Sequence, residues 1–151
     1  WAGARYCTST GENLLQTDQW DFSTSYYRVD RYYSIGQFSR YIPRGSFRTD
    51  VEKINGTTSA DKMPRELTAS AYIKDDDNTY TIVLVNSSKT KAFEAQVEIE
   101  GKEFENMISY TSSSSVKWLR KKLNPSLSGK RTVTVPKHSV VTITGKFREK
   151  Q

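Results

Sequence analysis

The stretch Phe93-Glu94-Ala95-Gln96-Val97-Glu98-Ile99-Glu100 alternates apolar and polar residues without a break. A period of two suits a half-buried β-strand, whose successive side chains point to opposite faces. It excludes an amphipathic helix, whose apolar residues recur every three or four positions. Phe93, Ala95, Val97 and Ile99 are therefore expected to face a core, with the four polar residues in solvent.

The same rhythm fills the chain after Pro43. Phe47, Thr49 and Val51 alternate with Arg48, Asp50 and Glu52 from Ser46 to Ile54, and a loop is expected from Asn55 to Arg65. Leu67 to Lys74 and Thr79 to Asn86 flank the polar turn Asp75-Asp76-Asp77-Asn78, a hairpin signal. Gly101-Lys102 turns the chain into Phe104 to Tyr110, and Ser112 to Ser115 reads as a loop or bulged strand end. Lys130 to Val135 and Ser139 to Lys146 are expected to pair around Pro136-Lys137. About seven or eight short strands at this spacing predict an antiparallel sandwich.

Before Pro43 the pattern differs. Trp1 to Thr8 reads as a buried strand, Asn13 to Thr17 as a short strand end and Asp18 to Tyr27 as a polar loop. A helix is predicted from Arg31 to Ile42, capped by Asp30 and ended by Pro43 and Gly45. Tyr32, Ile35, Ser39 and Ile42 form its stripe, and Gly36 beside them suggests close packing, since Gly within a helix costs about 1 kcal/mol against Ala.

Only 35% of the residues are hydrophobic, but 12% are aromatic, and each aromatic side chain buries a large area, so a packed core is feasible. The net charge of +6 invites an acidic partner. However, 17 carboxylates are interspersed among 23 basic residues, and the one dense run, Arg120-Lys121-Lys122 with Lys117 nearby, reads as a solvated loop. No nucleic-acid-binding signature accompanies it, and nucleic acid is not expected as a partner. Cys7 is the single cysteine, so no internal disulfide can form. No apolar run approaches the roughly 20 residues of a membrane span. A chain starting at Trp1, without an initiator Met or leader, is expected to be a processed product or a fragment. Asn55-Gly56-Thr57 and Asn86-Ser87-Ser88 are glycosylation sequons, relevant only in a eukaryotic secretory pathway.

Catalytic chemistry is sparse. The one histidine, His138, lies in a predicted turn, and no nucleophile elbow or phosphate-binding loop is present. One His and one Cys cannot make a zinc site, and the acidic turn at residues 75–78 lacks the spacing of a calcium loop. No cofactor or metal is expected. Glycoside hydrolysis needs two carboxylates about 5 to 10 Å apart. Glu94, Glu98 and Glu100 fall on an exposed strand face, and Glu12 in a loop is half a site at most. Tyr26, Tyr27, Tyr32, Tyr33, Tyr110 and Trp118 could stack on sugar rings, against a simpler role in packing.

The helix carries a resemblance. Tyr32-Tyr33-Ser34-Ile35-Gly36-Gln37-Phe38-Ser39-Arg40-Tyr41-Ile42, then Pro43-Arg44-Gly45-Ser46, resembles the last barrel helix of family 30 glycoside hydrolases and its exit into their β-domain. Gly11-Glu12-Asn13-Leu14-Leu15 is similar to the segment leaving their eighth barrel strand. Tyr80 to Ser88, Tyr110 to Ser114 and Pro136 to Thr144 resemble side-domain strands of that family, in the same order. Xylanase-type members carry Arg-Pro-Gly at the turn, whereas Pro43-Arg44-Gly45 is closer to the glucosylceramidase-like branch.

The resemblance implies a mainly β fold: an antiparallel β-sandwich preceded by the final strand and helix of a (β/α)8 barrel. Residues 1–45 would be the end of the barrel and 46–151 the side domain. It implies retaining hydrolysis of a β-glycosidic bond in a polysaccharide such as xylan. Both catalytic glutamates would lie upstream of Trp1, so no residue here would be catalytic. Trp1, Arg5 and Tyr6 would approach substrate, the last two near an acidic sugar substituent. The expected partners are a polysaccharide or oligosaccharide and the upstream barrel, and the expected location is extracellular. The alternative reading is a stand-alone carbohydrate-binding module with Trp118 and the tyrosines as its platform.

Overall fold

The computed structural model describes residues 2–3, 14–17, 26–52, 64–124 and 130–150. The segments predicted around Thr8, Glu12, Cys7 and Asn55, and the residues Trp1, Arg5 and Tyr6, lie outside the described residues. No described helix is long and apolar enough to cross a membrane.

A small sheet comes first. Strand β1 (Ala2–Gly3) runs parallel to β2 (Leu15–Thr17), which pairs antiparallel with β3 (Tyr26–Arg28). Tyr26 and Tyr27 thus belong to a strand, not to the polar loop that their setting suggested. Helix α1 (Asp30–Ser39) follows. It begins one residue early and ends three residues short of the predicted Ile42. Val29, not Asp30, occupies its N-cap, and Asp30 lies in its first turn. There the carboxylate favours the helix dipole and pairs with Lys117 at 2.7 Å. Beyond Ser39 the chain continues in a looser turn, with the Ile42 amide donating to the Phe38 carbonyl.

A large sheet dominates the rest. It contains β4 (Phe47–Thr49), β5 (Leu67–Lys74), β6 (Thr79–Asn86), β8 (Lys102–Phe104), β9 (Met107–Ser112), β10 (Leu119–Leu123) and β12 (Ser139–Glu149). Its order is β10-β9-β12-β6-β5-β4, with β8 paired to the far end of β12. β7 (Phe93–Val97) and β11 (Arg131–Val135) form a separate two-stranded sheet. The β5–β6 hairpin forms as predicted, in full register from Leu67↔Asn86 to Lys74↔Thr79. β7 also alternates as read: Val97 is buried, Phe93, Ala95 and Ile99 are half-buried, and the polar residues between them are exposed.

Three expectations are corrected. β11 and β12 are not a hairpin: β11 pairs with β7, whereas β12 pairs with β6, β9 and β8. The reason is visible in their patterns. β11 alternates, burying Val133 and Val135, but Ser139 to Ile143 is buried continuously, which requires a central strand covered on both faces. Second, the strand predicted from Phe104 to Tyr110 breaks at Glu105-Asn106. Gly145 lies opposite that break, and a Cβ there would collide with the Asn106 backbone and sit 2.8 Å from its Oδ1. Third, Arg120-Lys121-Lys122 is strand rather than loop. β10 is an edge strand of the large sheet, and lysines there deter pairing with another chain's edge.

The core lies between the large sheet and the β7–β11 pair. Tyr80, Ile82, Leu84, Val141, Ile143 and Phe147 meet Val97, Val133, Val135 and Phe104 there. Tyr80 is 2% exposed, and its hydroxyl donates to the Asn106 carbonyl at 3.0 Å. The polar 75–77 segment forms one exposed 3-10 turn, in which Lys74 pairs with Asp77.

Two consequences can be measured. Gly145→Ala pushes a methyl group into the Asn106 backbone and should destabilise the fold by about 1–3 kcal/mol in urea titration. Burial also holds the Tyr80 hydroxyl well above the usual tyrosine range. The unfolded chain releases this proton near pH 10 and the folded chain keeps it, so stability should be full below about pH 10 and fall above it. Tyr80→Phe should shrink that alkaline fall, read as the urea midpoint against pH.

Candidate functional site

Helix α1 lies on the face of the large sheet opposite the core, over β9 and β12. Gln37, fully buried, donates from Nε2 to Ser112 Oγ at 2.8 Å and to the Val140 carbonyl at 3.3 Å. Its own carbonyl accepts from Thr142 Oγ1 at 3.0 Å. Thr81 Oγ1 donates to the Tyr41 carbonyl at 2.7 Å just past the helix. Tyr41 stacks on Tyr110 with ring centroids 4.0 Å apart, and burial raises its hydroxyl pKa. The buried stripe is thus Gly36 and Gln37, not Tyr32, Ile35, Ser39 and Ile42; Ile35 is 46% exposed.

Trp118 locks the helix from its other side. It enters β10 with φ +51°, uncommon for an aromatic residue. Its amide donates to Ser112 Oγ, the same oxygen that takes Gln37, and its indole Nε1 donates to the Tyr33 carbonyl at 3.0 Å. The indole lies against Gly36, where a Cβ would strike the ring. Tyr33 and Tyr32 pack on it at 5.1 and 5.6 Å, and the Arg40 guanidinium sits 4.7 Å from its centroid. Lys117 reaches back to Asp30 and to the Ser113 carbonyl.

This arrangement assigns Trp118, Tyr32 and Tyr33 to packing. A sugar-stacking aromatic needs a clear ring face and a free polar edge. Trp118 has Gly36 and Arg40 against it, and its N–H is used. Tyr26 and Tyr27 on β3 remain 59% and 44% exposed. Ile35 is the exposed apolar residue of the helix, among exposed Asp30, Arg31 and Ser39, and an open cleft of about 330 Å³ beside it is lined by Leu14, Tyr32, Ile35, Gly36, Ser39, Arg40 and Trp118.

Elsewhere the described side chains offer little chemistry. Glu94, Glu98 and Glu100 are exposed, and His138 occupies an exposed turn with φ +47°. Among the described residues, no group of three or more His, Cys, Asp and Glu side chains converges. Asn86, read as a sequon asparagine, is 1% exposed, and its Nδ2 donates to the carbonyls of Lys91, Val135 and Pro136. A glycan cannot be carried there in the folded chain. Sequence reading suspected close packing at Gly36 but missed its partner, and it missed Gln37 entirely. A glutamine beside a helical glycine was the available signal.

Comparison with solved structures gives this geometry a context. No family model matches the sequence, and no curated protein matches it. A family 30 endoxylanase from Clostridium papyrosolvens C71 superposes with a TM-score of 0.65 at 24% identity, covering 79% of this chain and 28% of its own. A family 30 subfamily 8 xylanase from Clostridium acetobutylicum also gives 0.65 at 24%, covering 80% and 28%. The catalytic domain of a family 30 xylanase from Talaromyces cellulolyticus gives 0.68 at 16%, covering 97% of this chain and 29% of its own.

Gly36→Ala tests the helix seat. In an open helix this change gains about 1 kcal/mol of propensity, but a Cβ driven into a packed ring costs about 1–3 kcal/mol. The collision should win, lowering the urea midpoint, and Trp118→Ala in the same chain should remove the penalty.

The chain spans less than a third of these xylanases, and its described part has a family 30-like fold, the mainly β architecture of their C-terminal domain.

Proposed function

We propose that this chain is the C-terminal portion of a retaining β-glycoside hydrolase acting on a polysaccharide such as xylan. It braces a catalytic barrel that supplies both glutamates. The observation that carries this reading is the helix α1 itself. One side is fastened to the sheet through Gly36, Gln37 and Trp118, while Ile35 on the helix and Tyr26 and Tyr27 on the preceding strand β3 are exposed. Exposed large apolar and aromatic side chains on adjoining elements suit an interface. In this reading the barrel covers them, and residues 1–45 complete the barrel's last unit. Trp1, Arg5 and Tyr6 then lie beside the substrate groove, and the enzyme works outside the cell. The likeness in fold to the family 30 xylanases supports this. The carbohydrate-binding alternative loses its main support with Trp118 engaged in packing.

The test is reassembly. Mixed with the barrel segment encoded upstream, the chain should form a stable complex that hydrolyses xylan with retention of anomeric configuration. Ile35→Asp should weaken that association at least tenfold without changing the urea midpoint of the isolated chain, because Ile35 is already exposed. Failure to associate, or an upstream segment lacking two suitably spaced glutamates, overturns the proposal.

A further inference from the structure

Three loops meet at one end of the sandwich. They follow β6, β9 and β11, and Lys89, Ser113, Ser114, Ser115, Lys137 and His138 line an open groove of about 430 Å³ between them. Asn86 holds two of the loops together. Its Nδ2 donates to Lys91 in one and to Val135 and Pro136 in the other, and its Oδ1 accepts from the Ser88 amide. The His138 amide donates to the Ser88 carbonyl at 2.8 Å. The third loop is closed on itself, with Ser113 Oγ accepting from the Ser115 and Val116 amides.

The backbone beneath the groove is therefore fixed, while its side-chain charges are unspent. Residues 86–91, 112–117 and 136–139 contain no Asp or Glu. Among the described residues, Lys89 and Lys137 have no carboxylate partner, whereas Lys74, Lys102, Lys117 and Lys130 each have one. No Trp, Tyr or Phe ring lines the groove. Stacking on a neutral sugar is thus not its mode. Two free ammonium groups beside serine hydroxyls suit an anionic group on a hydroxyl-rich molecule.

We infer that this groove binds the carboxylates of an acidic polysaccharide, apart from the helix face. The choice of a polysaccharide among polyanions rests on the glycan-acting reading above. The groove would hold the protein on the acidic polymer.

Affinity electrophoresis of the 151-residue chain tests this, using polygalacturonate and its fully methyl-esterified form as probes. The acidic polymer should retard the chain, and the esterified polymer, with the same backbone but no charge, should not. Lys89→Glu with Lys137→Glu should weaken binding at least tenfold. Lys121→Glu with Lys122→Glu, the same charge change on β10, should alter it less than twofold. Circular dichroism should show all variants folded, as these side chains are exposed. The inference is overturned if the esterified polymer binds equally, if the β10 pair weakens binding as much as the groove pair, or if polyphosphate of matched charge binds as tightly. Binding is read without hydrolysis, so a failed reassembly with the barrel leaves this result standing, and the reverse holds too.

Discussion

One contact holds the two halves of the described chain in register: the Trp118 indole against Gly36. A helix that places a glycine on its buried side can approach a neighbour closely, and here the neighbour is an aromatic ring. That approach brings the Trp118 N–H within reach of the Tyr33 carbonyl and lets Ser112 Oγ accept from both Gln37 and the Trp118 amide. Each bond alone is worth about 1 kcal/mol. Their common dependence on one spacing makes them cooperate, since any residue larger than glycine would lift the helix off all of them. The uncommon backbone of Trp118 belongs to the same arrangement, because it turns the ring back from the strand entrance toward the helix.

The seat also depends on what lies beneath it. Gln37 and the Tyr41 carbonyl bond to Ser112, Val140, Thr142 and Thr81, which belong to β9, β12 and β6, three neighbouring strands of the large sheet. β12 is the spine of that sheet. Its first half pairs with β6 and β9, and its second half leaves β9 for β8. The crossing point is Gly145, where the Asn106 backbone presses so near that no side chain fits. Asn106 then uses both its oxygens, accepting from Tyr80 on its carbonyl and from the Lys146 amide on Oδ1. A break between two strands is thus closed by the polar groups it frees.

How much of this was legible follows from range. The β5–β6 hairpin and the β7 alternation depend on neighbours in sequence, so spacing and turn residues revealed them. The partner of β11 was not legible, because a short loop at Pro136-Lys137 suggests a hairpin unless one asks how much of the next strand is apolar. The continuous Val140-Val141-Thr142-Ile143 run held that answer, since a strand buried on both faces belongs to the middle of a sheet covered on both sides. The helix face was misread for a related reason. Gln37 is polar and Gly36 has no side chain, so neither registers as core, yet they are what the sheet touches. Trp118 and Gly36 stand 82 positions apart, and nothing local links them. The glycoside hydrolase likeness was visible in the helix motif, while the residues nearest substrate in that likeness, Trp1, Arg5 and Tyr6, fall outside the described residues.

The helix and the loop end divide the surface by chemistry. Around the helix, three basic groups are matched: Lys117 meets Asp30, Arg40 lies over Trp118, and Arg28 lies over the Tyr32 ring. Such pairing leaves Ile35, Tyr26 and Tyr27 as the exposed apolar and aromatic groups of this region, and these favour a dry, permanent contact. At the loop end the lysines are unmatched and the exposed groups are hydroxyls and charges, which favour a wet and reversible contact weakened by salt. A net charge of +6 would by itself predict attraction everywhere. The loop end combines unmatched lysines with hydroxyls and no carboxylate, which suits it to a hydrated polymer, whereas the helix region offers Ile35, Tyr26 and Tyr27 to a folded partner. That separation would let one small β-domain serve both without competition between them.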